Sequence, residues 1–479
     1  MVQKIGNAVA SPTKAFFVRM LTRDIELEDA ILDLLDNCVD GILRSGGVNS
    51  KSRRPYKGFW ARITMSQDRF EIEDNCGGIP FEVAKRYAFA IGRPSGATAM
   101  EAGNTVGLYG IGMKRAIFKM GQDAIVESRH DRGFSVEFTS AWMDSDDWSS
   151  LPMRPLATST LRGKGTRVVI RKLRDEASSS FADANWVDNF KRIVERHYSL
   201  IIQKGFEVRI GSPAEMSRPS AVISPTVFSL LRSEDLQIGE VGIAPYVYRG
   251  HLRGVDVEIY AGLYRPLLNE EEQEDEEDRK ITSDDAGWTV VCNDRVVIWK
   301  DKTRLTGWGE SPVPHFHGQF IAISGIVLLR SSDPKKLPLT TTKRGVDAGS
   351  DIYLDVKELM REATKALTSF TNKWKKFPEH LKEIYQSSAY MSLPEVRAWA
   401  ASIPLVRVRN MEGIEKFEPD YPEPEQEKTS ARVSFVAMLK DIAKLRHRYF
   451  GEDSKAKAGV VGQRAFDDAV KGHGKRPRK

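Results

Sequence analysis

The stretch Asp33-Leu-Leu-Asp36-Asn37-Cys38-Val-Asp40 decides the fold of the first part of this 479-residue chain. Its polar residues recur three or four positions apart, so they share one face of a helix whose other side is apolar. We therefore predict an amphipathic helix over residues 27–43. An asparagine on this face can ligate Mg²⁺ through its carbonyl oxygen, and a carboxylate one turn earlier can polarise water. A solvated helix face would give the same pattern.

A second polar element follows a predicted strand and reads Glu73-Asp74-Asn75-Cys76-Gly77-Gly78-Ile79-Pro80. A carboxylate at a strand end can hydrogen-bond the exocyclic amine of a base, and the glycines after it let the backbone approach closely. An ordinary turn containing Asp and Asn is the alternative interpretation.

Two further elements complete the series. Gly107-Leu108-Tyr109-Gly110-Ile111-Gly112-Met113-Lys114 opens a predicted helix over 113–120, and glycines at a helix N-terminus can hold phosphates through backbone N–H groups. No strand immediately precedes this loop, which argues against a dinucleotide-binding Rossmann unit. Gly165-Thr166 then enters a predicted strand over 166–172, where the threonine hydroxyl could join the base-binding carboxylate.

The order and spacing of these four elements resemble the GHKL ATPases, the Bergerat fold of gyrase, MutL, the ATP-driven chaperones and the histidine kinases. The resemblance covers roughly residues 25–172 and implies ATP and Mg²⁺ as cofactors. It implies that Asn37 is the Mg²⁺ ligand, that Asp74 reads adenine N6, and that Asp33 takes the place of the catalytic glutamate. The nucleotide-contacting residues that it implies are Asn37, Asp36, Asp40, Asp74, Gly78, Ile79, Gly107, Leu108, Tyr109, Gly110, Ile111, Gly112, Met113, Lys114 and Thr166.

The chain departs from the family pattern at two positions. Asp33 is one methylene shorter than glutamate, so we expect slow turnover or a need for lid closure. Cys76 stands where the turn usually has its first glycine, and that position must tolerate a small side chain. We expect Cys38 and Cys76 to be packing residues.

Residues of about 240–345 resemble the transducer domain of the gyrase, MutL and MORC branches. Val290-Val-Cys-Asn293-Asp-Arg295 is similar to a strand of MutL-type transducers, and Leu337-Pro-Leu-Thr-Thr-Thr-Lys343-Arg344 is similar to the loop that delivers a lysine to the γ-phosphate. Lys343 is therefore the candidate catalytic sensor, since a lysine is a mobile point charge suited to a terminal phosphate. A surface-loop lysine is the alternative. Gly112-Met-Lys114 and Met120-Gly-Gln-Asp123 resemble the MORC branch.

The predicted fold class is α+β, with an N-terminal Bergerat sandwich of helices on a mostly antiparallel sheet. We expect an ATP-binding domain over 1–180 and a transducer-like domain over 181–376, resembling the ribosomal-protein-like α/β domain, with an acidic insertion at 269–280. A helical region over 377–479 follows, with a Pro- and Glu-rich linker at 415–430 and a basic tail. Strands are predicted over 288–299 and 318–329.

Composition permits several partners and excludes others. The net charge of +6 permits contact with nucleic acid without requiring it. The sequence has no run of about 18 apolar residues, so we expect no membrane span. The three cysteines fit no zinc spacing and no disulfide framework, which favours a reducing cytoplasm.

Three functions fit the sequence. The first is an ATP-dependent homodimeric clamp on DNA or a DNA-bound protein, as the MutL and MORC resemblance implies, and the MORC similarity also suggests bacterial defence. The second is a chaperone-like ATPase acting on proteins. The third is an ATP-sensing module that hydrolyses little, for which the shorter Asp33 is the main argument. A histidine kinase is disfavoured because no histidine precedes His130.

Overall fold

The computed structural model describes residues 13–46, 52–90, 111–146, 148, 151–156, 161, 163–237, 239–267, 285–340, 343–375, 377, 385–424, 436–452 and 454–473. Two compact units are present, residues 1–424 and residues 425–479. The first unit contains two seven-stranded sheets.

The first sheet has helices packed against it, among them the one that the opening stretch of sequence predicts. Its strands are β1 (Trp60–Ser66), β2 (Arg69–Asp74), β3 (Gly121–Arg129), β4 (Gly133–Phe138), β5 (Met153–Pro155), β6 (Gly165–Leu173) and β7 (Glu207–Gly211). The helices are α1 (Lys14–Arg23), α2 (Leu27–Arg44), α3 (Phe81–Val83, continued by a π-helical turn at Ala84–Ala88), α4 (Gly112–Met120), α5 (Ser140–Asp144), α6 (Asp175–Ala182), α7 (Ala184–His197) and α8 (Ser199–Gln203). The strand order is β5-β4-β3-β6-β2-β1-β7, antiparallel throughout except for the parallel pair β1 and β7.

Helix α2 packs its apolar side into the core of this sheet. Ile31, Leu35 and Ile42 are fully buried, together with Ile63 of β1 and Phe70 of β2. Because strand side chains alternate between faces, the buried positions of β1 and β2 form one apolar layer for the helices to cover. The predicted class of helices on a mostly antiparallel sheet is confirmed.

The second sheet follows in the same unit, with strand order β12-β11-β13-β10-β9-β16-β15. Its strands are β9 (Tyr246–Leu252), β10 (Val255–Leu263), β11 (Gly287–Cys292), β12 (Arg295–Asp301), β13 (Ile323–Arg330), β15 (Val406–Arg407) and β16 (Ile414–Phe417). Strands β8 (Ser229–Ser233) and β14 (Ser388–Ser392) pair separately. The helices here are α9 (Asp351–Trp374) and α10 (Leu393–Ser402), and short 3₁₀ turns lie at Pro219–Ala221, Arg304–Thr306, Gly318–Phe320 and Pro334–Lys336.

Two predicted strands differ from the structure. Residues 288–299 form the hairpin of β11 and β12 rather than one strand, because Asn293 and Asp294 adopt left-handed backbone angles (φ 46° and 68°). Such angles at both turn residues match the twist of the flanking strands in a tight hairpin. In the segment 318–329, Gly318–Phe320 is a 3₁₀ turn and the strand begins at Ile323.

Two predicted boundaries also shift. Strand β7 pairs in parallel with β1, so the first sheet extends beyond residue 180 to residue 211. Strand β16 overlaps the start of the predicted linker 415–430, and it pairs with β9. The Trp374 indole N–H donates to the Pro422 carbonyl at 2.8 Å, which fastens the following residues to α9. Pro- and Glu-rich composition therefore does not prevent this segment from packing.

The second unit contains α11 (Leu439–Phe450) and α12 (Ala458–His473). The Tyr449 hydroxyl donates to Asp468 Oδ2 at 2.9 Å and joins the two helices. The acidic insertion at 269–280 and the basic residues after 473 lie outside the described residues. Among the described residues, none of the helices combines the length with the apolar composition that spanning a bilayer requires.

Candidate functional site

The polar face of α2 lies mostly inside the protein. Asp33, Asp36 and Asp40 are 4%, 1% and 2% exposed, whereas Asn37 is exposed. Buried carboxylates need partners to offset the loss of solvation. The interpretation of this face as merely solvated is therefore wrong for the three aspartates, and it leaves Asn37 as the accessible oxygen donor among these four side chains.

Asp36 is the centre of a buried ionic cluster. It accepts hydrogen bonds from Lys343 Nζ at 2.9 Å, from Arg295 Nε at 3.1 Å and from the Tyr198 hydroxyl. Burial by itself would raise the pKa of Asp36, but Lys343 and Arg295 outweigh it and hold that pKa below its ordinary value. Asp36 is consequently a fixed negative charge in the helix.

Asp33 is bound differently, one turn earlier on α2. Arg115 of α4 donates to Asp33 Oδ2 through Nε at 3.1 Å and through a second guanidinium N–H, and Lys343 Nζ lies 3.8 Å from Oδ1. A Cβ on Gly112 would lie 3.2 Å from the Asp33 Cβ, so this glycine lets α4 begin against the carboxylate. Burial raises the pKa of Asp33, although Lys343 and Arg115 oppose that effect.

Lys343 comes from the segment between β13 and α9 and is 5% exposed. The alternative of a surface-loop lysine is therefore wrong. Burial alone would lower its pKa, but Asp36 and Asp33 hold it above the ordinary lysine value, so Lys343 stays protonated. The next residue, Arg344, donates to Asp29 Oδ1 at 2.9 Å and anchors the same segment to the start of α2.

The β11–β12 hairpin turn also reaches this site. Arg295, 1% exposed, donates from Nη1 to the His197 carbonyl at 3.1 Å, and its guanidinium lies 4.2 Å from the Tyr198 ring centroid. Asp294, its neighbour, accepts from Tyr56 at 3.4 Å and from Lys204. Asp294 of the turn and Arg295, the first residue of β12, thus both bond to the part of the chain that forms the first sheet and its helices.

Asp74 is the last residue of β2, and its side chain is buried. Its Oδ1 accepts from the Cys76 backbone N–H at 2.6 Å, and burial raises its pKa to about 6. The Cys38 thiol donates to the Leu34 carbonyl of the same helix at 3.4 Å. Cys38 and Cys76 are 3% and 1% exposed, which confirms their predicted packing role.

The turn after Asp74 is packed so tightly that glycines are required. Gly77 and Gly78 have φ of 97° and 71°, and a Cβ on Gly78 would lie 2.1 Å from the Arg129 carbonyl oxygen. Cys76 is not among the residues with positive φ, which explains why a side chain is tolerated there. A Cβ on Gly41 of α2 would meet the Cys76 carbonyl oxygen at 2.5 Å, so helix and turn are in close contact.

Thr166 connects to this turn through a serine that the sequence did not indicate. The hydroxyls of Thr166 and Ser128 are 3.1 Å apart, and the Ile79 backbone N–H donates to Ser128 Oγ at 2.8 Å. Ser128 is fully buried and also donates to the Gly165 carbonyl at 3.2 Å. Ser128 of β3 therefore joins Thr166 of β6 to Ile79 of the turn, and a Cβ on Gly165 would lie 2.0 Å from the Asp74 carbonyl oxygen.

The predicted phosphate loop is described in its last part. Gly107, Leu108, Tyr109 and Gly110 lie outside the described residues. Ile111 precedes α4, and Gly112 and Met113 are its first residues. Lys114 is 2% exposed and donates from Nζ to the Ala88 carbonyl at 2.9 Å, and burial lowers its pKa to about 8.

The donors present fit a nucleotide bound with Mg²⁺. No group of three or more His, Cys, Asp or Glu side chains in the described segments could hold a metal by itself. Mg²⁺ commonly takes one or two protein oxygens and completes its shell with phosphate oxygens and water. The exposed Asn37 amide could supply one such oxygen, and the Asp74 carboxylate could accept from an exocyclic amine.

Four residues of the site are not predicted from the sequence, namely Arg115, Tyr198, Ser128 and Gly41. Arg295 is predicted only as part of its strand. Arg115 is the one with a sequence signal, because it follows the glycine loop directly on the helix that the loop opens. Tyr198 and Arg295 are 162 and 259 residues from Asp36, so no local pattern connects them.

Comparison with known families agrees with this geometry. Residues 25–162 match the family described as histidine kinase-, DNA gyrase B- and HSP90-like ATPases. The matched segment contains α2, the turn after β2, and the start of α4. No curated protein matches the chain.

Proposed function

We propose that this chain, in which residues 25–162 carry a GHKL-type ATP-binding domain, is a nucleotide-gated clamp. In this proposal it binds ATP with Mg²⁺, hydrolyses it slowly, dimerises when ATP is bound and acts on DNA or a DNA-bound protein. The observation that carries the proposal is the position of Lys343. Its ammonium group binds Asp36 of α2, although the two residues are 307 positions apart in the sequence.

The environment of Lys343 supports a nucleotide-dependent movement. Its Nζ lies between Asp36 Oδ2 at 2.9 Å and Asp33 Oδ1 at 3.8 Å. A γ-phosphate beside α2 would offer a competing anion of higher charge. Since Asp36 retains Arg295 and Tyr198 as partners, Lys343 can leave it without exposing an unpaired carboxylate. The two positions of Lys343 would form the two states of the switch.

The β11–β12 hairpin supports transmission from this helix to the second sheet. Arg295 binds Asp36, which is the neighbour of Asn37 in the sequence. Asp294 binds Tyr56, which precedes β1, and Lys204, which follows α8. A change at Asn37 would therefore reach β12 through one buried ion pair. This continuity is a physical route for coupling between α2 and the second sheet.

The base and phosphate assignments follow from the same residues. Asp74, in its ionised form, would accept from the amino group of adenine, while the Thr166–Ser128 pair holds the neighbouring turn. Bound Mg²⁺ would neutralise charge on the transferred phosphate. Asn37 would orient that ion, and Lys343 would add a positive charge from the opposite segment.

The contacts of Asp33 favour slow turnover and also support a second candidate function. Asp33 Oδ2 accepts two N–H groups of Arg115, so the carboxylate that would activate water is already engaged. It is also one methylene shorter than glutamate. A chain in which this pair persists after ATP binds would be an ATP sensor with little hydrolysis.

ATP turnover and chain assembly together test the proposal. Phosphate release would be measured with and without a 30-base-pair duplex, and mass would be followed by light scattering with ATP, ADP and a non-hydrolysable ATP analogue. The clamp predicts dimers with ATP or the analogue, monomers with ADP, and a rate altered by DNA. Tight ATP binding without turnover or dimerisation would favour the sensor, and ATP turnover that DNA leaves unchanged would contradict the DNA client.

A further inference from the structure

The positive charge of the chain is concentrated in its last 55 residues. Residues 425–479 contain 14 Lys and Arg against seven Asp and Glu, a net charge of +7, whereas the whole chain has +6. The preceding 424 residues are therefore close to neutral. These last residues also form the second compact unit. The strongly basic segment and the second compact unit thus begin at the same residue of the chain.

The described part of this unit displays basic side chains along one side of α11. Lys440, Lys444 and Arg448 follow one another at intervals of four, and all three are exposed. Residues spaced by four lie on one face of a helix, and eight residues at 1.5 Å per residue make a basic stripe roughly 12 Å long. We call Lys440, Lys444 and Arg448 the basic stripe.

The opposite side of α11 is apolar and faces its neighbour. Ile442, Leu445 and Tyr449 are partly buried, and the Tyr449 hydroxyl is bonded to Asp468 of α12. A helix that lies in a membrane surface needs its apolar side free to enter the lipid. In α11 that side packs partly against α12, and the basic stripe lies exposed on the other side of the helix.

We propose that the basic stripe is a contact surface for the phosphate backbone of duplex DNA. Duplex DNA carries about one charge per 1.7 Å of its axis, so a 12 Å row of cations can face several phosphates. The choice of DNA rests on the proposed function. The binding site itself does not, because it lies outside the nucleotide-binding domain and requires no ATP.

The test is fluorescence anisotropy of a labelled 30-base-pair duplex with the full chain, without nucleotide, over 50–300 mM salt. The test variant neutralises the stripe with Lys440→Gln, Lys444→Gln and Arg448→Gln. The control variant loses the same charge at three exposed lysines of the first unit, Lys335→Gln, Lys365→Gln and Lys375→Gln. Circular dichroism checks that each variant keeps its helix content.

Three lost phosphate contacts should reduce the slope of log K against log salt by roughly 2 to 3, at about 0.9 per contact. Affinity at 0.1 M salt should fall at least tenfold for the stripe variant and change less than about threefold for the control. Equal losses in both variants would overturn the proposal, because they would reflect net charge alone. Binding to anionic phosphatidylserine vesicles but not to DNA would overturn it as well.

The result stays distinguishable from a failure of the proposed function. Asn37→Ala should bind the duplex like the unmodified chain, since its change lies in the nucleotide-binding domain. If ATP turnover and dimerisation are absent and stripe-dependent DNA binding is present, the clamp fails and the contact surface stands. If the reverse holds, the contact surface fails alone.

Discussion

Replacing Lys343 with methionine separates its proposed role in ATP turnover from its role in the fold. Methionine retains most of the length of the side chain and removes the charge. Arg344→Met is the matched control, because Arg344 belongs to the same segment and pairs with Asp29 of the same helix at 2.9 Å. Its ion pair is with Asp29, whereas Lys343 binds Asp36 and lies near Asp33.

The size of each effect follows from the contacts. Removing one partner of a buried ion pair costs about 3–5 kcal/mol when the other is left uncompensated. Asp36 keeps Arg295 at 3.1 Å and Tyr198, and Asp33 keeps Arg115, so we expect a smaller loss of unfolding free energy, about 1–3 kcal/mol. A charged hydrogen bond to phosphate contributes about 1.5–3 kcal/mol, which corresponds to roughly a 10- to 150-fold fall in kcat/KM for ATP.

Steady-state phosphate release and urea unfolding followed by tryptophan fluorescence measure the two effects on the same preparations. We expect Lys343→Met to lose turnover by the stated factor while Arg344→Met stays within about threefold of the unmodified chain. Equal turnover in all three proteins would refute the reasoning, since Lys343 would then be a structural ion-pair partner of α2. A parallel loss in both variants would point to docking of the segment instead.

Three other changes test the site. Asp74 has a pKa of about 6 and must be ionised to accept from adenine. Its ionised fraction falls from about 0.9 at pH 7 to about 0.1 at pH 5, so the Kd for ATP measured by calorimetry should rise about tenfold over this range. The Asp74→Asn variant should lose this added pH dependence. Gly78→Ala places a Cβ 2.1 Å from a carbonyl oxygen, whereas the control Gly46→Ala changes a glycine of similar φ that has open space around it. The urea concentration at the unfolding midpoint should therefore fall clearly further for Gly78→Ala. Equal shifts in the two variants would contradict the close packing of the turn. Arg295→Met leaves Asp36 with Lys343 and Tyr198 but removes the donor to a buried carbonyl, and we expect an unfolding loss of about 2–4 kcal/mol, measured in urea.

Helix α2 was predictable because its apolar period is local. The burial of its polar face was not predictable. The partners of Asp33, Asp36 and Asp29 are Arg115, Lys343 and Arg344 respectively, and they lie 82 to 315 residues away in the sequence. A polar face on a helix reads as solvated until the cations that cover it are known. The spacing therefore predicted which residues lie together and not whether water reaches them.

The hairpin of β11 and β12 shows a different limit of sequence reasoning. Val290, Val291, Val296 and Val297 surround the turn with apolar residues, and a continuous apolar run indicates one buried strand. The Asn293-Asp294 pair was the available turn signal, since both residue types tolerate left-handed angles. The same turn carries Arg295 into the site, so missing it also hid that contact.

The glycines predict a phosphate loop, and because Gly107 to Gly110 lie outside the described residues, that role stays a prediction. The turn after Asp74 was predicted with its glycine requirement in the right place, because the positive φ angles fall at Gly77 and Gly78. Ser128 had no signal, since its partners Ile79 and Gly165 are brought to it by the order of strands in the sheet.

Calorimetric titration of the full chain with ATP, with and without Mg²⁺, tests the central claim most directly. The proteins compared are the unmodified chain, Asn37→Ala, and Asn189→Ala, which removes another exposed asparagine on α7. We predict Mg²⁺-dependent ATP binding by the unmodified chain and by Asn189→Ala, and an affinity at least about tenfold weaker for Asn37→Ala, since a ligand of the ion is lost. Absence of ATP binding by the unmodified chain, or unchanged Mg²⁺-dependent binding by Asn37→Ala, would contradict the account.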